Sequence, residues 1–119
     1  MARIVVAGAG AIGASVAFHL ASLGARDVVL ADREHIASGS TSKAMGGVRQ
    51  QFSTAAEVRL AQASIRFFEE LESPLFEQVG YLFLATTAEG LAELEERREL
   101  QAQLGVPVEA VDPGFVEGL

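Results

Sequence analysis

Gly8, Gly10 and Gly13 spell G-x-G-x-x-G between a β-branched run at residues 3–8 and a proline-free stretch of small and apolar residues at 11–23. A string of three glycines is weak alone; between a strand and a helix it constrains the fold strongly. The first glycine permits a tight turn, the second lets a pyrophosphate approach the backbone, and the third lets helix and strand pack closely. Phosphates then meet the free N–H groups of the helix start, at Ala11, Ile12 and Gly13. Gly24 supplies a helix stop, and residues 27–32, DVVLAD, read as a second strand ending on Asp32. Strand, helix and strand in about thirty residues make one βαβ unit, the start of a doubly wound, Rossmann-like α/β sheet. A carboxylate at Asp32 can accept hydrogen bonds from ribose hydroxyls and disfavours a 2′-phosphate. The competing reading is an ordinary strand-to-helix turn with an acid that merely ends a strand. The spacing leaves NAD and FAD open, since both carry an adenosine diphosphate half.

The rest of the chain reads as further alternation. Ser53 or Thr54 can cap a helix from 55 to about 72, with Glu57 completing a capping box and Val58, Ala61, Ile65, Phe68 and Leu71 on one face. Residues 80–87, GYLFLATT, look like a strand, 88–105 like an amphipathic helix closed by Gly105, and 106–112 like a short last strand. The chain then ends at PGFVEGL with no closing element expected. A doubly wound sheet needs more than two parallel strands to bury both faces, so the sequence is expected to be the N-terminal part of a longer protein. Residues 1–54 are assigned to the first segment of a nucleotide-binding domain. Residues 55–119 are assigned to a connecting helix and the start of a substrate domain.

Composition narrows the partners. Residues 1–68 hold seven basic residues against four acids, a balance of +3 within a chain of net charge −7, which leaves −10 for the remainder. That split argues against a nucleic-acid surface in the second half and suits an anionic ligand in the first. The acids between Glu93 and Glu99 read as a solvated helix face. No stretch reaches the roughly 18 uninterrupted apolar residues of a membrane span. The chain has no cysteine, which excludes disulfides and thiolate chemistry and agrees with a cytoplasmic setting.

Residues 39–52, GSTSKAMGGVRQQF, are small and polar until Arg49 interrupts them. Taken with the glycine unit before it and GYLFLATT after it, this loop resembles the N-terminal part of FAD-dependent amine and amino-acid oxidoreductases of the D-amino acid oxidase superfamily. The sarcosine oxidase, sarcosine oxidase beta subunit and dimethylglycine dehydrogenase group is the nearest in look. The resemblance implies FAD as the cofactor and, for the full-length protein, an enzyme that oxidises the C–N bond of a small amine or amino acid such as sarcosine, glycine or proline, the 119-residue chain alone being expected to be inactive. The flavin is then the hydride acceptor, and the imine product is hydrolysed. It further implies that Ser40, Thr41 and Ser42 contact the cofactor, that Arg33 lies beside it with Asp32, and that Gly46 and Gly47 give backbone room near the flavin ring. Arg49 matches an arginine that helps hold the substrate carboxylate, a role suited to a planar fork that stays charged. Its alternative is a surface cation or a partner for Glu57.

The loop departs from the family pattern in two ways. Histidines found there in certain sarcosine oxidases are replaced by the run from Ser40 to Lys43, and Gly46 stands where a further basic residue can occur. Neither His19 nor His35 sits at a recognisable flavin-attachment position. Other subunits of a hetero-oligomer are a further expectation of the group. The alternatives are a NAD-dependent dehydrogenase domain and a non-catalytic nucleotide-binding module.

Overall fold

The computed structural model describes residues 3–118. They form two compact units, one ending at Gly47 and the other starting at Val48.

The first unit is a βαβ arrangement: β1 (Ile4–Ala7), α1 (Ala11–Ser22) and β2 (Val28–Ala31), followed by a 3-10 turn at Ser40–Lys43. The strands pair in parallel with Ile4 opposite Val28 and Ala7 opposite Ala31, so both strands end at the same edge. The backbone bond from Gly8 N–H to the Ala31 carbonyl, 2.7 Å, is the last rung there. Each strand is shorter at both ends than its apolar run suggested. Helix α1 closes as the sequence requires: Gly24 takes φ +93° while its N–H bonds the Ala21 carbonyl and the Ala25 N–H bonds the Leu20 carbonyl. That pair of bonds satisfies carbonyls the helix end would otherwise leave open.

The second unit is built on α2 (Ala55–Glu69) and α3 (Ala88–Gln103), with a short α4 (Pro113–Glu117) after them. Thr54 caps α2: its hydroxyl accepts from the Glu57 N–H at 3.3 Å and donates to the Glu57 carboxylate at 2.7 Å. The expected apolar face is the packed one, with Val58 fully buried while Leu60, off that face, is 71% exposed. Phe68 stacks on Phe76 with ring centroids 5.7 Å apart. Gln101 of α3 is buried, and its side-chain amide donates to the Phe52 carbonyl at 2.9 Å. From α2, Gln62 donates to the Leu104 carbonyl at the end of α3, also at 2.9 Å. These two amides tie α2 and α3 to backbone outside their own helical ladders. Along α3, Arg97 pairs with Glu93 and Arg98 with Glu95, the solvated charged face expected of it.

Three expectations do not hold. Residues 80–87 and 106–112 form no strand, and residues 113–117 are helical where no element was expected. A strand exists only as half of a ladder, and among the described residues no segment pairs with 80–87, so its β-branched and aromatic composition has nothing to bond to. Phe83 and Leu84 stay 39% and 66% exposed. Helix α4 forms because Asp112 accepts from the Phe115 N–H and Pro113 starts the turn, a cap-and-proline entry.

Candidate functional site

The site grows from the turn between β1 and α1. Gly8 takes φ +105°, a conformation that L side chains avoid. Gly13 is pressed against that turn: a Cβ built on it would lie 1.7 Å from the Gly8 carbonyl oxygen and 3.6 Å from the Leu30 side chain. Only a residue without Cβ lets α1 approach both strands this closely. Gly10, the N-cap of α1, has no side chain with which to cap the helix, and no acid stands in its first turn. Its first N–H groups therefore have no acceptor within the helix, and no acid of the helix itself competes with an incoming anion.

The loop after β2 reaches back to this turn. Thr41, in the 3-10 turn, accepts from the Ala11 N–H through its hydroxyl at 2.9 Å, which leaves the hydroxyl proton free to donate onward. Ala9 is held at both of its backbone groups. Its N–H donates to the Asp32 carboxylate at 2.6 Å, and its carbonyl accepts from the Ala37 N–H at 3.0 Å. Ala37 itself takes φ +61°, a costly conformation for alanine that persists when its surroundings hold it. The second Asp32 oxygen accepts from the Glu34 N–H at 2.9 Å.

Bonds from the Ala9 and then the Glu34 N–H hold the Asp32 carboxyl below its ordinary value of 3.8. A depressed carboxylate pKa means the folded state favours the charged form, so the tie contributes stability above the ordinary value. That contribution is lost as pH falls through the lower folded value. Asp32→Asn is expected to remove this acid-side dependence. Unfolding midpoints followed from neutral to acid pH check it: wild type should lose an increment below about pH 4 that the variant never had.

A cleft of about 450 Å³ opens beside this turn, lined by Ala7, Gly8, Ala31, Asp32 and Arg33. It is shallow and open to solvent. Gly8, Gly10, Ala11, Ile12, Gly13, Asp32, Arg33 and Thr41 are thus gathered at one end of the βαβ unit. Ser40 and Ser42 lie in the same 3-10 turn as Thr41, with the Ser42 hydroxyl donating to the Gly39 carbonyl at 3.1 Å. Gly46 and Gly47 are exposed at the end of this unit.

Arg49 belongs to the second unit. Glu57 is engaged with Thr54, and among the described residues Arg49 forms no ion pair. Its guanidinium carbon lies over the Phe52 ring, 5.0 Å from the centroid, and over the Phe83 ring at 5.4 Å.

Sequence reasoning did not find the Asp32–Ala9 tie, the left-handed Ala37 or the two rings at Arg49. No local pattern marks an alanine for positive φ, and Phe83 is distant in sequence from Arg49. No group of histidine, cysteine or acid side chains able to hold a metal ion occurs among the described residues. No helix there is long and apolar enough to cross a membrane.

A family model described as "FAD dependent oxidoreductase" matches residues 3–117. The chain is 34% identical to 4-methylaminobutanoate oxidase (formaldehyde-forming) of Paenarthrobacter nicotinovorans, over 90% of this chain and 14% of that protein. Rat mitochondrial dimethylglycine dehydrogenase is 36% identical, over 79% of this chain and 12% of that one. The mouse mitochondrial pyruvate dehydrogenase phosphatase regulatory subunit is 32% identical, over 99% of this chain and 14% of that one. Among solved structures, L-proline dehydrogenase from P. horikoshii superposes with a TM-score of 0.90 at 32% identity, covering 98% of this chain and 32% of that one. The chain therefore spans between 12% and 32% of the length of these proteins.

Proposed function

The chain belongs to the FAD dependent oxidoreductase family, and we propose that it supplies the FAD cradle of an enzyme that oxidises the C–N bond of a small N-substituted amino acid. The observation that carries the reading is the gathering of the α1 N-terminus, Thr41 and Asp32 around one turn. The donor set fits the cofactor. The first-turn N–H groups of α1 and the Thr41 hydroxyl would hold the pyrophosphate, and Asp32 with the adjoining cleft would take the adenosine. Ser40, Ser42, Gly46 and Gly47 would lie along the remainder of the flavin, and Arg33 beside the adenosine half. Bound there, the flavin supplies the hydride acceptor, while the protein binds, orients and excludes water.

The substrate class follows from three relatives' names: 4-methylaminobutanoate, dimethylglycine and L-proline each combine a substituted amine with a carboxylate. Arg49 is the group suited to that carboxylate. Residues 1–54 would then be the first segment of the flavin domain, and residues 55–119 a connecting helix and the start of the substrate domain. A second reading, a non-catalytic module, is favoured by the relative named as a phosphatase regulatory subunit.

Anaerobic mixing of the FAD-loaded full-length protein with sarcosine, dimethylglycine, 4-methylaminobutanoate and L-proline separates the two. Loss of the oxidised-flavin absorbance with at least one of them is expected. Retained absorbance with all four, at full FAD occupancy, would favour the regulatory reading.

A further inference from the structure

Arg49 is exposed, in a segment without secondary structure, where a long cationic side chain ordinarily samples many rotamers. Two rings restrict it. Phe52 and Phe83 lie 5.0 and 5.4 Å from the guanidinium carbon by their centroids, within the range of a cation–π attraction. Both rings are anchored by the same unit. The Phe52 carbonyl accepts from buried Gln101 of α3 at 2.9 Å. The Phe83 segment is tied to the Arg49 segment by the Gln51 side-chain amide, which donates to the Tyr81 carbonyl at 3.3 Å. A cation–π contact uses none of the guanidinium hydrogen-bond donors, and among the described residues Arg49 makes no ion pair, so its fork remains for a carboxylate to bind in two parallel bonds.

We propose that Phe52 and Phe83 are positioning residues that hold the Arg49 guanidinium in place for a carboxylate ligand. This rests on the reading of Arg49 as the substrate-carboxylate receptor. Without the rings, binding would also have to order a flexible side chain, so the variants Phe52→Leu and Phe83→Leu should bind a carboxylate roughly twofold to tenfold more weakly. Phe83→Tyr keeps a ring and should behave as wild type.

The test is NMR of the Arg49 side chain with FAD present, titrated with sarcosine and, as control, its primary amide. Protons held over ring faces are shifted upfield, so Arg49 Hδ should lie upfield of its position in a free arginine. Phe83→Leu should relax that shift and weaken sarcosine binding by the stated factor while leaving the amide unchanged. An unshifted Hδ in wild type would overturn the proposal even if a leucine variant fails to fold. So would a shifted Hδ whose loss in Phe83→Leu leaves sarcosine affinity intact. A wild-type Arg49 resonance that ignores sarcosine altogether would instead remove the underlying role of Arg49, a distinguishable failure.

Discussion

Gly13→Ala is expected to lower stability by about 3 kcal/mol, the upper part of the range for overpacking a close contact, and to weaken FAD binding by about a hundredfold or more. The added methyl would meet the Gly8 carbonyl oxygen at 1.7 Å and its carbon at 2.9 Å. Both are backbone atoms of the turn, so no side-chain rotation relieves the clash, and α1 must move away from β1. That motion displaces the first-turn N–H groups from the Thr41 side of the cradle, which couples the loss of stability to the loss of binding. Against a total stability of about 5–15 kcal/mol for a typical domain, such a loss is severe. Two other glycines calibrate the effect. A Cβ on Gly10 would lie 3.0 Å from the Thr41 hydroxyl, a side-chain atom able to shift, and a Cβ on Gly39 would meet nothing within 4 Å. Thermal melts should therefore rank Gly13→Ala far below Gly10→Ala, with Gly39→Ala near wild type. In an equilibrium FAD titration Gly39→Ala should bind as wild type, while Gly10→Ala, placed where the pyrophosphate approaches the backbone, should bind more weakly than its melt alone predicts.

Arg49→Ala is expected to raise KM for a carboxylate-bearing amine by on the order of a hundredfold, from about 3 kcal/mol for leaving one partner of a close charge pair unmatched. FAD affinity should be unchanged, because the groups assigned to the cofactor, from Gly8 to Gly47, do not include Arg49. Arg49→Lys keeps the charge and loses the planar fork, so it should fall between. Steady-state kinetics with an amino acid and its primary amide reads the effect: the amide should be nearly indifferent to all three side chains. An unchanged KM for the acid would return Arg49 to the status of a surface cation.

The parts legible in the sequence were those governed by contacts along the chain. The β1–α1–β2 unit follows from an apolar run, the glycines and the Gly24 stop. The α2 start follows from Thr54 and Glu57, three residues apart and bonded to each other. The parts that were not legible depend on a partner elsewhere. Residues 80–87 have strand composition but pair with no described segment. Asp32 was read as a ribose acceptor from its place at the strand end, and the same carboxylate also fixes the Ala9 N–H, a bond visible only once the turn has a shape. Phe83 comes to Arg49 through the fold of the second unit, and no spacing announces it.

The central claim is that the glycine turn, Thr41 and Asp32 form a cradle for FAD, and equilibrium titration of the protein with FAD, with NAD in parallel, tests it most directly. Saturable FAD binding, tighter than NAD and weakened in Gly13→Ala, is the expected result. Binding of NAD in preference to FAD, or FAD binding indifferent to Gly13→Ala, would contradict it.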